Sequence, residues 1–359
     1  MRFLFFTKTP WVEQPRLRHQ IVRLLAGAGH QVIYFQKPRY PWQPASGNGS
    51  VEPGIVVRQH EELIHHKLLL AGWLRALNSG WIRRTLQPAL QDLAISPLDI
   101  IVNFNYEYAF LRDVFPNNPI ITIINDDFLT RTLFGFEAPL REALQRTCEI
   151  SDHVLTVSTP LQRQLEPFCR PELFLPWADI AYRAPVPAAL RDTLLFWGHI
   201  NRRVDFDFIL YVAARLQERA PELRILLVGP IVAPKQTLLA LRSANIELRG
   251  ATPLDSLPLD RVFCGFIPYR SDDKSVDAST MPNKCFQLLA RGLPLGITGM
   301  PHFMPAPFVY RLQRDTCVET ILQMRSQFDA VQTPIRQFVA GNGAAERLHQ
   351  LMQLLTCAR

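Results

Sequence analysis

No stretch of about 18 consecutive apolar residues occurs in the 359-residue chain, so nothing in it reads as a membrane-crossing helix. The first apolar run, in MRFLFFTKTPW, is too short for a secretory signal and reads as an opening β-strand. There is no C-x-x-C: Cys148, Cys169, Cys264, Cys285, Cys317 and Cys357 are scattered, several within apolar runs. There cysteine acts as a small hydrophobe, and unpaired thiols in a reducing compartment are expected. The nine histidines show no metal-ligand spacing; His65 and His66 are adjacent and would point apart on a helix. Neither G-x-G-x-x-G nor G-x-x-x-x-G-K-[ST] is present, which argues against a dinucleotide fingerprint and a P-loop. No metal and no cofactor are expected. Repeats of solenoid type and low-complexity segments are also missing.

What is present is a globular balance, 48% hydrophobic and 20% charged. Its length fits about two domains of ~150–180 residues. Lys+Arg number 39 against 32 Asp+Glu, a formal net charge of +7 that favours acidic partners. The basic residues are dispersed rather than striped, which disfavours nucleic acid. Strand and helix patterns alternate from end to end. RFLFFT (2–7), QVIYFQ (31–36), GIVVRQ (54–59), DIIVNFN (99–105), PIITIIN (119–125) and HVLTVS (153–158) read as strands, with an amphipathic helix at 16–30 closed by Gly29. A proline-rich stretch follows, and the pattern restarts with TLLFWGH (193–199), RILLVGP (224–230), NIELRG (245–250) and RVFCGFIPY (261–269). Runs apolar throughout suit parallel sheets covered on both faces. The expected fold is α/β, two doubly wound Rossmann-like domains facing across a cleft. The expected divisions are 1–170, a linker at 171–192, a second domain at 193–335 and a terminal helical segment at 336–359 that packs back on the first domain.

The stretch TMPNKCFQLLARGLPLGIT (280–298) carries the most local information. Thr280 suits a helix N-cap, Pro282 the first turn, and Gly292 with Pro294 the stop. Cys285, Phe286, Leu289 and Ala290 form an apolar stripe, which leaves Lys284, Gln287 and Arg291 on another face. In doubly wound domains ligands bind at the carboxyl ends of strands. Those ends hold Gly198, Gly229 and Tyr269, with Arg202 and Arg203 just beyond. Glycine for close approach, with cations beside it, describes a nucleoside-diphosphate site. The D-x-D at 205–207 reads as a helix start rather than a metal site.

In the first half, a buried strand ends in Asn125, Asp126 and Asp127. A carboxylate there is either a general base for an acceptor hydroxyl or a loop cap, and Glu107 competes with it. The loop after the first strand offers Lys8, Trp11 and Arg16 to an acceptor. The segment 65–87 combines Leu and Trp with Lys67, Arg75, Arg83 and Arg84, a composition that suits either a membrane interface or a helix lying on a sheet.

The second half resembles glycosyltransferases of the GT-B fold. The likeness rests on a strand ending in glycine, N-I-E-L-R-G, a strand ending in Pro-Tyr, and P-N-K-C-F-Q-L-L-A-R-G-L-P, close to P-x-K-x-x-E-x-x-A-x-G-x-P; GAGHQV near the start fits the end of their first helix. The family's glutamate is Gln287 here. That change, with Lys284 three residues before it, resembles the inverting glucuronosyltransferases of xanthan-type exopolysaccharide assembly. The resemblance implies an inverting, metal-independent transfer from a UDP-sugar, UDP-glucuronic acid among them, to a glycan or lipid-linked acceptor. It also implies a cytoplasmic protein on the inner face of the plasma membrane. Asp126 matches the family's base, with Asp127 one position off. Thr280, Met281 and Lys284 would meet the donor, and Gln287 its ribose. A retaining GT-B transferase and a non-catalytic nucleotide-binding subunit are the alternatives.

Overall fold

A computed structural model of the chain describes all residues except 14–15, 45–46, 48, 66–71, 128, 130–136, 188–189, 245 and 358–359. The chain divides into two units, Met1–Leu175 with Arg347–Arg359, and Pro176–Glu346.

In the first unit the order is β1 (Arg2–Phe6), α1 (Leu17–Gly27), β2 (Gln31–Phe35), β3 (Gly49–Glu52), β4 (Ile55–Arg58), α2 (Gly72–Asp92), β5 (Ile100–Asn103), α3 (Leu111–Val114), β6 (Ile120–Ile124), α4 (Glu137–Glu149), β7 (His153–Thr156), α5 (Thr159–Leu165) and β8 (Glu172–Leu173). Among the described residues these strands form an eight-stranded sheet ordered β3-β4-β2-β1-β5-β6-β7-β8. Every pairing is parallel except β3 with β4. Strand order reverses direction between β1 and β5, which is the switch point of a doubly wound sheet. β6 is buried at every position, as a strand covered on both faces must be. The antiparallel β3, polar and short, had no apolar run to announce it.

The second unit continues with β9 (Thr193–Trp197), α6 (Phe206–Arg219), β10 (Arg224–Val228), α7 (Lys235–Ser243), β11 (Glu247–Arg249), β12 (Val262–Pro268), α8 (Lys274–Asp277), α9 (Asn283–Leu289), β13 (Leu295–Thr298), β14 (Val309–Arg311), α10 (Cys317–Ser326) and α11 (Gln332–Gly341); α12 (Ala344–Cys357) ends the chain. Its six described strands are all parallel, ordered β11-β10-β9-β12-β13-β14, with the switch point between β9 and β12. Both units are thus doubly wound α/β, as the alternation predicts.

The proline-rich stretch is shared between the units: β8 pairs with β7, while Arg183 donates its backbone N–H to the Ala290 carbonyl (2.7 Å). Arg347 on α12 donates to the Leu175 carbonyl (2.9 Å) and Gln350 to that of Leu173 (2.8 Å). One local expectation is corrected. Pro282, not Thr280, is the N-cap of α9, because its fixed φ and missing N–H place the helix start directly after it; Thr280 is buried in the preceding turn. Gly292 does stop the chain's helical course, with φ +72°.

Two histidines are built into the first unit as neutral rings. His60 is buried and its Nε2 meets the Tyr108 hydroxyl at 2.9 Å; burial, then the charge of Lys8, lowers its pKa to about 3. His19 accepts the Arg16 backbone N–H at Nδ1 (3.0 Å), and burial foremost lowers its pKa to about 4. The unfolded chain binds protons at both sites before the folded one does. Stability from these rings is therefore intact above the unfolded value of about 6.5 and is lost as pH falls toward the folded values. Denaturation midpoints measured across this range should fall on acidification. His60→Gln or His19→Gln should flatten the fall, and an unchanged slope in both variants would refute the assignment.

Candidate functional site

Each unit gathers chemically capable side chains at the carboxyl ends of its strands. In the second unit β9 and β10 run out into Gly198 (φ +141°) and Gly229 (φ +150°). Gly198 donates its N–H to the Val228 carbonyl (2.9 Å), which draws the two turns together. A Cβ at Gly229 would overlap the Gly198 carbonyl, and one at Gly198 would lie 2.7 Å from Lys284 Nζ. The bare backbone is what lets the ammonium rest there. It also sits 4.2 Å from the Phe196 ring centroid and 4.9 Å from that of Tyr269, two faces that favour a cation. Tyr269 is held by a bridge to Val204, and the Arg270 N–H donates to the Arg203 carbonyl (2.9 Å). Arg202 is exposed and Arg203 half-buried. Burial opposes ionisation of Asp273, yet hydrogen bonds from Ser275 and the nearby charges of Arg203 and Arg202 hold its carboxyl below the ordinary range. The glycine turns, Tyr269, Lys284 and the two arginines therefore share one end of the sheet. Met281 and Thr280 lie buried in the turn leading to α9.

Gln287, one turn along α9 from Lys284, is 8% exposed and committed to protein partners. Its Nε2 donates to Asp179 Oδ2 (3.1 Å), while Arg291 donates to its backbone carbonyl (2.8 Å). Asp205 accepts the Phe208 N–H (2.9 Å) as the N-cap of α6, the structural reading of the D-x-D. Among the described residues no group of three His, Cys, Asp or Glu is placed to hold a metal.

In the first unit, hydrogen bonds fix the turns before any charge is placed. Asn105 donates its side-chain amide to the Phe6 carbonyl (3.0 Å), and its N–H to Asn103 Oδ1 (2.8 Å), tying the end of β5 to the end of β1. Tyr34 donates to the Thr9 carbonyl (3.2 Å) and pins the loop after β1. Lys8 then reaches Glu107 (2.6 Å) and stands 3.6 Å from Glu62. Both carboxylates are buried, and burial first, then Glu107, outweighs Lys8 and raises the Glu62 pKa. Arg18, in the first turn of α1, donates to Thr9 Oγ1 and lies 5.5 Å from the Phe104 ring centroid. Burial lowers its pKa, and Asp126 is among the groups that counter this.

The two neighbouring aspartates differ. Asp127 is 8% exposed and accepts the Leu129 N–H (3.0 Å), a loop cap; Asp126 is half-buried and accepts the Asp127 N–H (3.1 Å). Trp11 packs on Tyr34 and His19 with Arg23 over its ring, and Arg16 is exposed and paired with Glu13. Both belong to the entry of α1. The second cation at these strand ends, beside Lys8, is Arg18, which sequence reasoning missed together with Glu62 and Asp179. The strand-end rule could have found Glu62, four residues past β4; no motif marks Arg18 or Asp179.

Of the basic Trp segment, Lys67 lies outside the described residues. Arg75 donates to the Pro139 carbonyl (2.6 Å) and pairs with Glu142 (2.9 Å), and Arg83 pairs with Asp113 (2.9 Å). Trp73 and Leu77 are exposed on α2.

No protein-family model and no curated protein matches the chain. Solved structures do. A sucrose-phosphate synthase from Thermosynechococcus elongatus is similar at a TM-score of 0.68 and 13% identity, covering 100% of this chain and 99% of that one. An α,α-trehalose-phosphate synthase (UDP-forming) from Burkholderia xenovorans, in complex with glucose-6-phosphate, scores 0.67 at 11% identity, covering 99% of both chains. The lipopolysaccharide outer core galactosyltransferase WaaB scores 0.63 at 11% identity, over 98% of this chain and 99% of its own. The fold is therefore the GT-B fold of these glycosyltransferases.

Gly229→Ala is expected to destabilise the protein by about 1–3 kcal/mol, since backbone cannot yield to the new methyl group. Gly198→Ala should cost less, because the end of Lys284 is flexible. Denaturant titration of the two variants gives the comparison; a harmless Gly229→Ala would contradict the close approach.

Proposed function

We propose that the chain is a glycosyltransferase that takes a sugar from a UDP-sugar and delivers it, with inversion, to a hydroxyl of a glycan or lipid-linked acceptor. The observation that carries this reading is the ammonium of Lys284 laid against the Gly198 turn, itself packed on the Gly229 turn, at a sheet switch point, with Arg202 and Arg203 in the loop that follows Gly198. Such a place suits a diphosphate: a bare backbone admits the phosphates, and fixed cations stabilise the charge that grows on the leaving group. The fold agrees, and two of the similar structures are named for UDP-forming or UDP-sugar chemistry.

The acceptor is assigned to the first unit. Lys8, Glu62 and Glu107 offer acceptors and a donor to sugar hydroxyls, and Arg18 feels the charge of Asp126. Asp126 is assigned as general base, taking the hydroxyl proton as the oxygen attacks the anomeric carbon. The electron pair of the breaking bond leaves with UDP. The motif likeness in Lys284, Gln287 and Asp126 makes UDP-glucuronic acid the first donor to test. A lipid-linked acceptor would bring the protein to a membrane surface, where Trp73 and Leu77 are available for contact.

Lys284→Ala should weaken UDP binding by about 1.5–3 kcal/mol in calorimetric titration, the range for a hydrogen bond to a charged group. Unchanged affinity would remove Lys284 from the site. Asp126→Asn should lower turnover by ~10²–10⁴ with donor affinity nearly unchanged. Asp127→Asn should do much less, since its amide oxygen still caps Leu129. UDP release and the anomeric configuration of the product are the readouts. Full turnover in Asp126→Asn, or a product of retained configuration, would overturn the inverting assignment, and no UDP release with any acceptor would overturn the enzyme.

A further inference from the structure

We infer that Cys148 and Cys169 are a redox pair: hydrogen peroxide oxidises Cys169, and Cys148 then closes a reversible disulfide with it. Neither cysteine belongs to a motif or to the groups gathered at the carboxyl ends of the strands.

The fold brings the two thiols together across β7. A crossover helix between parallel strands runs back along the sheet and finishes level with the amino end of the next strand. Both α4 and α5 do this; Cys148 lies in the last turn of α4 and Cys169 just past the end of α5. Their side chains pack into one apolar cluster, with Leu144, Val154 and Leu165 among its members. Leu165 fixes Cys169, since its carbonyl accepts both the backbone N–H (3.1 Å) and the thiol (3.7 Å) of that residue. The thiol of Cys148 in turn hydrogen-bonds Cys169.

The two thiols differ in the way a redox pair requires. Cys148 is 2% exposed, whereas Cys169 is half-buried and open to a small oxidant. The hydrogen bond from Cys148 lowers the pKa of Cys169 against the effect of burial; the same bond, then burial, raises that of Cys148. Cys169 is therefore the thiolate that reacts and Cys148 the thiol that resolves. The Cys169 sulfur attacks one peroxide oxygen, the O–O bond breaks, and hydroxide leaves to take up the proton that the thiol gave. Cys169 is now a sulfenic acid. The Cys148 sulfur attacks it, the S–O bond breaks, and the oxygen departs as water with the Cys148 proton. Two thiols and one peroxide give one disulfide and two waters. Ile124 and Leu129 belong to the same cluster and bracket Asp126 and Asp127, so the bond fastens the packing on which that turn rests. In a reducing compartment such a bond is transient rather than part of the fold.

The test is mass spectrometry of the full chain after titration with hydrogen peroxide, alkylation of the remaining thiols and digestion without reduction. Wild type should yield a linked pair of peptides carrying Cys148 and Cys169, lighter by two hydrogens than the two thiol peptides, and dithiothreitol should abolish it. In Cys148→Ala the sulfenic acid should persist at Cys169 and be captured by dimedone; in Cys169→Ala, Cys148 should stay reduced. Thermal melting checks that both variants are folded, and oxidised wild type should melt above reduced wild type, as a closed loop in the unfolded chain requires. Cys148 recovered alkylated at a peroxide dose that has consumed Cys169 overturns the inference. So does linkage of either residue to another cysteine, or oxidation of other cysteines while Cys169 stays reduced. These outcomes are read in wild type and do not depend on either variant folding.

Discussion

The second unit is organised around one lysine lying on backbone. Lys284 comes from a helix after β12, yet its ammonium rests at the turn after β9, between the rings of Phe196 and Tyr269. That placement requires Gly198 to lack a side chain. Gly198 in turn requires a bare Gly229 beside its carbonyl. Two strands, a helix and an aromatic pair are thus constrained by one cation. A cation held on aromatic faces loses part of its hydration but keeps its charge directed outward. On the proposed reading it is pre-set for an anion rather than recruited to one.

The first unit uses a different device at the same end of its sheet. Lys8 stands between two buried carboxylates, so its charge is already balanced and an incoming anion gains little there. A polyhydroxylated ligand gains more, since carboxylates accept and the ammonium donates. Backbone ties from Asn105 and Tyr34 hold these groups in place, so the residues that position the cluster are not the residues that make it.

The strand and helix alternation was legible because buried parallel strands are apolar throughout, and the strands so predicted fall within about two residues of their runs, whereas the short β3, β8 and β14 had no run. That the glycine turns lie at one end of the sheet was legible because a doubly wound sheet aligns the carboxyl ends of its strands, and Lys284 was singled out by the family motif. Side-chain commitments were not. Trp11 was read as facing an acceptor and packs on Tyr34 and His19, because an aromatic ring beside a buried helix finds more contact inward. Thr280 had the side chain of an N-cap, but Pro282 lay closer to the helix and its geometry prevailed. Arg18 was invisible among many arginines, since nothing in a sequence says which of them is buried.

That last point bears on the charge of the whole chain. A net charge of +7 suggests an attraction for acidic partners, but much of the arginine is spent on the fold. Arg2 donates to the Leu93 carbonyl (2.7 Å), Arg112 to those of Ile150 (2.8 Å) and Asn118 (3.0 Å), and Arg191 to that of Val262 (2.9 Å). Arg311 does the same at the Met300 carbonyl (3.0 Å). These guanidinium groups bind backbone carbonyls at or near the ends of helices and strands. A planar fork with five N–H groups does this better than lysine, whose single ammonium is more strongly hydrated. The composition therefore measures how the loops are fastened more than what the protein binds. On the proposed reading, a phosphate would meet the few cations that the topology carries to the strand ends, and their number there matters more than the sum over the chain.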